Sequence, residues 1–202
     1  SHDAVLRMNE AGVEGFETDV GSKTTVRLIN SQMLDVKHVA DLKKIVNKDC
    51  SLFVWRTGPR DGNLTKWHYD GAGEEYFNNF ITWVKGHPSL IPHLIHPSTL
   101  WGSWDVIHQY TNEHLVEHVP STGFTGIHLM SQMCQYIDVY GYITPMHTDC
   151  HYYKTSKCHP LEWHPINEEK NFLRRLHIGS QEDISTKGKL SLYGSIHNGV
   201  NC

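Results

Sequence analysis

Short runs of apolar and β-branched residues alternate along this chain with longer segments that have the apolar spacing of helices. The strand-like runs are AVLRM, TTVRLI, SLFVW, DVYGYI and LSLYGSI, and the helix-like segments include VADLKKIVN, YFNNFITWVKG, TLWGSWDVIHQY and INEEKNFLRRL. Strands that alternate with helices are typical of α/β proteins with a parallel sheet. We therefore predict an α/β fold in which helices flank a mostly parallel sheet.

Length and charge narrow the range of functions. The chain has 202 residues and a formal net charge of -4, so residues 1–202 are predicted to form a single domain. It has no run of five or more like charges, which argues against nucleic acid and favours a small molecule or a glycan as partner. No stretch approaches the roughly 18 apolar residues of a membrane span. The opening SHDAVLRMN has neither a start methionine nor a signal peptide, so we expect an N-terminal part to be missing.

The segment PSTGFTG, residues 120–126, precedes the apolar run IHLMSQMCQYI. Ser121 or Thr122 is a suitable N-cap for a helix that begins there. Free backbone N–H groups and the positive end of the helix dipole would favour an anion such as a phosphate, and Gly123 would let the backbone come close. The segment has no lysine where a P-loop would need one. An ordinary N-cap with a packing glycine is the alternative.

Two segments match neither a helix nor a strand pattern. They are GPRDGNLTKWHYDGAGEE, residues 58–75, and TPMHTDCHYYKTSKCHPLEW, residues 144–163. Long loops of compact α/β domains often carry functional residues. We therefore expect both segments to be loops that contribute to a site.

Four motifs follow one another in a fixed order: RMNEAGVEGFETDVGSKTTVRLINSQ, PSTGFTGIHLMSQMCQYIDVYGY, HYYK and HPINEE. This set resembles the eukaryotic sialyltransferase family. The first is similar to the C-terminal part of the family's long motif, the second to its short motif, the third to motif III and the fourth to the very short motif. The resemblance covers nearly the whole chain. It is closest to the β-galactoside α-2,6 branch, through NSQ, YFNNF, SWDVIHQ and WHPINEEKN.

The resemblance implies a Rossmann-like variant of the GT-A fold. It also implies an inverting transferase that moves sialic acid from CMP-sialic acid to a glycan ending in galactose, with no metal and no other cofactor. Such an enzyme would work in the Golgi lumen as the lumenal domain of a type II membrane protein. Its membrane anchor would lie before Ser1 in the missing N-terminal part.

The resemblance also implies roles for individual residues. His164 would be the general base, and Pro165 after it predicts that His164 is the N-cap of the helix INEEKNFLRRL. The expected contacts to the CMP donor are Asn9, Ser121, Thr122, Gly123 and His151, of which His151 would also stabilise the leaving phosphate. The expected contacts to the acceptor galactose are Glu74, Trp163 and Lys170. The chain departs from the α-2,6 branch at three points, since that branch has tyrosine at the positions of His151 and Trp163 and an Asp-Tyr pair near Glu74.

The cysteines and one sequon carry further expectations. By resemblance, Cys150 and Cys158 form a disulfide that closes the HYYK loop, as an oxidising compartment would permit. Cys134 and Cys202 would have partners before Ser1, and Cys50 has no family counterpart. Asn63 begins the sequon Asn-Leu-Thr and is a predicted glycosylation site.

Three alternatives remain open. A zinc-binding module could use the His, Cys and Asp residues that crowd between positions 147 and 159, although their spacing matches no closed zinc pattern. These residues are His147, Asp149, Cys150, His151, Cys158 and His159. A catalytically silent relative that binds glycans is the second alternative. The third is a transferase for another CMP-sugar such as CMP-Kdo, because the same motifs would hold CMP.

Overall fold

The computed structural model of the chain describes residues 2–35, 42, 44–46, 49–70, 73–111, 115, 117–143, 149–157 and 164–196. The chain divides into two compact units. The first unit is Val5–Gly102, and the second combines Ser1–Ala4 with Ser103–Cys202. Compact units within a chain do not by themselves decide the number of domains, so the single domain over residues 1–202 stays a prediction.

The first unit contains a four-stranded parallel sheet in the order β1-β2-β3-β4. Its strands are β1 (Leu6–Met8), β2 (Val26–Asn30), β3 (Ser51–Trp55) and β4 (Pro92–Leu94). Four consecutive residues of β2 are buried, as expected for a parallel strand whose two faces are both covered. The predicted α/β fold with a mostly parallel sheet is confirmed.

The helical elements of the first unit include α1 (Glu17–Val20), a 3₁₀ turn (Ser31–Leu34), α2 (Leu64–Tyr69) and α3 (Gly73–Lys85). Of these, α2 and α3 bury aromatic side chains. Tyr76 and Trp83, seven residues apart on α3, lie on the same face and are both buried. The hydrophobic cluster that they join consists of Ile29, Met33, Leu34, Leu42, Leu52, Val54, Trp67, Tyr76 and Trp83.

The second unit is built from helices and two antiparallel strand pairs. Helix α4 (Pro97–Gln109) begins in the first unit and enters the second at Ser103. The other helices of the second unit are α5 (Thr122–Ser131), α6 (Ile166–Leu176) and α7 (Gln181–Lys187). Strand β5 (Tyr136–Tyr140) pairs with β8 (Lys189–Tyr193), and β6 (Asp149–His151) pairs with β7 (Lys154–Lys157). The α6 bounds match the predicted INEEKNFLRRL segment.

The two segments predicted to be loops contain regular structure, so that prediction is wrong for part of each. Residues 58–75 include α2 and the start of α3. The side chain of Asn63 caps α2 by accepting from the N–H of Lys66 at 2.9 Å, and Trp67 anchors it in the core. Residues 144–163 include β6 and β7. With six, three and four residues, α2, β6 and β7 are too short to show an apolar period, and none of them is a run of apolar or β-branched residues.

Two further expectations concern helices. The predicted helix VADLKKIVN lies mostly outside the described residues. Within the described part of the chain, no helix combines the length and the apolar character that crossing a membrane would require.

Candidate functional site

The PSTG turn forms the N-terminus of α5. Ser121 is the N-cap residue, and its side-chain oxygen accepts from the N–H of Phe124 at 3.1 Å. Its carbonyl accepts the first helical bond, from Thr125 at 2.9 Å. The prediction that an N-cap lies at Ser121 or Thr122 is confirmed, and Ser121 is the capping residue. In the part of the chain that the structure describes, the N–H groups of Thr122 and Gly123 have no acceptor.

Glu169 of α6 reaches this turn from 48 residues further along the chain. Its side chain is fully buried. One carboxylate oxygen accepts from the backbone N–H of Ser121 and the other from the hydroxyl of Ser121, both at 2.7 Å. Both donors of Ser121 are therefore used inside the protein. Thr122 and Gly123 are left as the donors that a ligand at this turn could meet.

Tyr142, which follows β5, completes this network. Its hydroxyl donates to the Glu169 carboxylate and lies 3.2 Å from the hydroxyl oxygen of Ser121. Its ring packs against Gly123, where a Cβ atom would collide with it. Gly123 is thus required by the packing of Tyr142, in addition to any ligand that approaches the turn. We call Ser121, Tyr142 and Glu169 the carboxylate network.

Burial dominates the electrostatics of the carboxylate network. It raises the pKa of the Glu169 carboxyl above its ordinary value, while hydrogen bonds from Tyr142 and Ser121 and the nearby His164 act in the opposite direction. Burial and the adjacent carboxylate raise the pKa of the Tyr142 hydroxyl well above its ordinary value. The Tyr142 hydroxyl therefore stays protonated and serves as a donor to Glu169.

His164 lies next to the PSTG turn, because its ring is hydrogen-bonded to the backbone of Val119, the residue that precedes Pro120. Nδ1 of His164 lies 2.7 Å from the carbonyl oxygen of Val119. A carbonyl can only accept, so Nδ1 carries the proton in this bond and Nε2 of the neutral ring is an acceptor. That is the tautomer that a general base requires.

His164 is not the N-cap of α6, and that prediction is wrong. The N-cap is Pro165, whose carbonyl accepts the first helical bond from Glu169 at 2.9 Å. No side chain caps this end of the helix. The ring of His164 does not cap the helix, because it is hydrogen-bonded to the carbonyl of Val119 instead.

The acceptor-side predictions fall in different places. Lys170 follows Glu169 on α6 and is half-buried, and burial together with Arg174 lowers the pKa of its ammonium group while Glu169 opposes the shift. Glu74 is exposed in the first turn of α3, in the first unit. Trp163 lies outside the described residues. The site roles of all three stay predictions.

Asn9 belongs to the first unit, at the end of β1. It has a positive φ of 46°, and its side-chain oxygen accepts from the N–H of Asn30 at 3.0 Å. The guanidinium of Arg27, buried in β2, holds this loop by donating to the carbonyls of Asn9 and Ala11 at 3.2 and 2.7 Å. The side-chain oxygen of Asn30 is buried without a hydrogen-bond partner among the described residues. Asn30 was not predicted as a site residue, and its orphaned acceptor at the carboxyl end of a parallel strand makes it a candidate for a ligand contact.

His151 ends β6 and is exposed, with its ring centroid 5.1 Å from that of Tyr153. Its predicted role beside the donor phosphate is not tested by this position. Among the described residues, no group of three or more His, Cys, Asp or Glu side chains could hold a metal ion. His147, Cys158 and His159 lie outside those residues, so the zinc alternative stays open.

The cysteines differ in state. Cys50 is a buried free thiol, and burial raises its pKa. Cys134 is disulfide-bonded. The expectation that its partner lies before Ser1 stays a prediction.

The Cys150–Cys158 disulfide stays a prediction, since the side chain of Cys150 and all of Cys158 lie outside the described residues. We expect peptide mapping under non-reducing conditions to recover a peptide that links these two cysteines. Their Cα atoms would then lie about 4.4 to 6.8 Å apart. Alkylation of both thiols before reduction, or a link from either one to Cys134, would contradict the pairing.

Comparisons with known proteins identify the family to which the chain is similar. The model of glycosyltransferase family 29 (sialyltransferase) matches residues 1–180. Beta-galactoside alpha-2,6-sialyltransferase 2 of Homo sapiens is 38% identical over 199 residues, which are 96% of this chain and 37% of that protein. The protein of the same name from Danio rerio is 38% identical over 207 residues, 100% of this chain and 40% of that protein. Beta-galactoside alpha-2,6-sialyltransferase 1 of Homo sapiens is 35% identical over 198 residues, 96% of this chain and 48% of that protein. The chain thus spans less than half the length of these relatives.

Proposed function

This chain belongs to glycosyltransferase family 29, the sialyltransferases, and from that premise we propose that it transfers sialic acid from CMP-sialic acid to a glycan ending in galactose. The observation that carries the proposal is the position of His164. Its imidazole is fixed by Val119 in the tautomer that leaves Nε2 as an acceptor, directly beside the PSTG turn. In this proposal His164, as the base, lies next to the N-terminus of α5, which would bind the anion.

In the proposed reaction, Nε2 of His164 takes the proton from the attacking hydroxyl of the acceptor. The hydroxyl oxygen forms a bond to the anomeric carbon of sialic acid, and the bond from that carbon to the CMP phosphate oxygen breaks on the opposite face. The configuration is therefore inverted. CMP leaves as an anion, and no second base is needed.

The donor phosphate would be held by the start of α5. The N–H groups of Thr122 and Gly123 and the hydroxyl of Thr122 are the donors that remain after Ser121 has bonded to Glu169. A helix N-terminus with free N–H groups stabilises an anion without a metal ion. In this proposal Ser121 supports the turn rather than contacting the phosphate, and His151 adds a donor for the leaving group.

Asn9 and Asn30 would contact the nucleoside part of the donor. The unpaired oxygen of Asn30 can accept from a hydroxyl or an amino group, and the hydrogen bond from the backbone N–H of Asn30 holds the side chain of Asn9 at the end of the strands. Trp163, Lys170 and Glu74 remain the proposed contacts to galactose. The Asn63 sequon and the proposed reaction both suit the Golgi lumen, which we infer as the site of action.

Binding of CMP is expected to be independent of divalent metal, because the start of α5 supplies the compensating charge. We expect titration of CMP into the purified protein to give the same affinity, within about twofold, in EDTA and in manganese. Thr122→Val should weaken binding about 2- to 10-fold through loss of one hydroxyl. The matched control is Thr125→Val on the same helix, which removes a buried hydroxyl without a partner in the described structure. A strict requirement for manganese would overturn the metal-free site.

A further inference from the structure

A second concave site lies in the second unit, between the end of α4 and one side of α6. It is a cleft of ≈ 180 Å³. None of the residues assigned above to catalysis or to donor binding lines it. Its lining residues are Ile107, Tyr110, Thr111, Glu168, Asn171, Phe172 and Arg175.

The floor of the cleft is apolar and is held in place by packing. Ile107 is buried, and the ring of Phe172 packs against the rings of Tyr110 and Phe124, with centroid distances of 5.3 and 5.9 Å. Arg175 donates to the backbone carbonyl of Tyr110 at 2.8 Å, which ties the end of α4 to α6. The tyrosine side chain itself is 59% exposed. An aromatic surface is therefore presented to solvent by a fixed backbone.

The side of the cleft formed by α6 is polar. Glu168, Asn171 and Arg175 have the spacing i, i+3, i+7 and form one stripe along α6. Glu169 and Leu173 form the neighbouring stripe, which is buried in the core. The cleft thus lies on a side of α6 that the carboxylate network does not use.

These groups match the chemistry of a sugar ring. A pyranose has an apolar C–H face that packs against an aromatic ring, and hydroxyls that both donate and accept. The cleft offers a carboxylate acceptor, an amide and the remaining N–H donors of a guanidinium. One negative and one positive side chain offset each other, which favours a neutral ligand. The volume is below that of pockets for drug-sized ligands, so it suits a single ring.

We propose that this cleft is an accessory carbohydrate subsite that binds one neutral pyranose. In the proposed reaction, that pyranose is a sugar of the acceptor glycan beyond the terminal galactose. Only this assignment to the acceptor rests on the proposed function. Binding of a free sugar to the cleft does not depend on it.

The test uses two asparagines of α6 as a matched pair. Asn171 lines the cleft, whereas Asn167 is exposed on the same helix and does not line it. The probes are methyl β-galactoside and methyl β-N-acetylglucosaminide, titrated into the purified chain and followed by saturation-transfer NMR. We expect Asn171→Ala to weaken binding about 2- to 10-fold, as for the loss of one hydrogen bond. Asn171→Trp fills the cleft and should abolish binding, while Asn167→Ala and Asn167→Trp should leave it unchanged.

The outcomes separate this proposal from the proposed function. If neither probe binds, if binding survives Asn171→Trp, or if only a negatively charged sugar binds, the subsite is overturned. If no transfer of sialic acid is detected but sugar binding depends on Asn171, the proposed function fails and the subsite stands. If the protein transfers sialic acid and Asn171→Trp raises the KM for a long acceptor while leaving kcat unchanged, both are supported.

Discussion

Replacement of His164 with alanine is expected to lower kcat for sialic acid transfer by roughly 100- to 10,000-fold, the usual contribution of general-base catalysis. In the proposed reaction the imidazole accepts the proton of the attacking hydroxyl through Nε2, because Nδ1 is committed to the carbonyl of Val119. CMP affinity should stay within a few fold, since His164 is not among the proposed donor contacts. Steady-state transfer to a galactose-terminated acceptor and CMP titration measure the two quantities separately.

Two further variants make this test specific. His164→Asn retains a donor that can reach the Val119 carbonyl but has no basic nitrogen, so it should lose as much kcat as the alanine variant. His93→Ala, at an exposed position of β4 in the first unit, is the control for removal of an imidazole elsewhere. Retention of more than about a tenth of kcat in His164→Ala would exclude this residue as the base. If kcat falls in His164→Ala but stays near the wild-type value in His164→Asn, His164 has a positioning role only.

Replacement of Glu169 with alanine is expected to destabilise the fold by about 2–6 kcal/mol. The change leaves the Ser121 N–H and the Tyr142 hydroxyl buried without an acceptor, at about 1–3 kcal/mol each. Urea unfolding monitored by tryptophan fluorescence measures the loss. The matched control is Glu168→Ala, one residue earlier on α6 and outside the carboxylate network, which should stay within about 0.5 kcal/mol. If both variants lose the same free energy of unfolding, the carboxylate network does not stabilise the fold through Glu169.

The carboxylate network should also give stability a pH dependence. Burial raises the folded-state pKa of Glu169 above its ordinary value of 4.5. Its contribution to stability is therefore greatest below that value and falls as the pH rises through the folded-state pKa. The glutamine of Glu169→Gln cannot ionise. As the pH rises from acidic to neutral, the free energy of unfolding of this variant should therefore increase relative to that of the wild type. The opposite trend would mean that the ionised carboxylate is the form that the fold stabilises.

Local sequence patterns predicted the longer helices by their apolar period and several strands by their runs of apolar and β-branched residues. The bounds of α6 and the N-cap at Ser121 follow from apolar spacing and capping preference alone. Neither pattern marks α2 (Leu64–Tyr69) or β4 (Pro92–Leu94), and both elements were missed. Their positions depend on single anchors in the tertiary structure, as Trp67 shows for α2.

The carboxylate network could not be predicted because its contacts join distant parts of the chain. From the sequence alone, Glu169 is interpreted as an acidic residue in the first turn of a helix, where its charge would complement the helix dipole. Its buried position depends on Ser121 and Tyr142, which lie 48 and 27 residues away. The tautomer of His164 depends likewise on a carbonyl 45 residues away. The motif identified the histidine, and only the fold showed which nitrogen is available.

The packing of the Tyr142 ring against Gly123 links the evolution of these two positions. A side chain larger than hydrogen at position 123 would occupy the space of the ring. The tyrosine would then have to move, and its hydroxyl would lose the Glu169 carboxylate. We therefore expect a change at position 123 to require a compensating change at position 142 and a new partner for Glu169, so that these positions would diverge among homologues as a set.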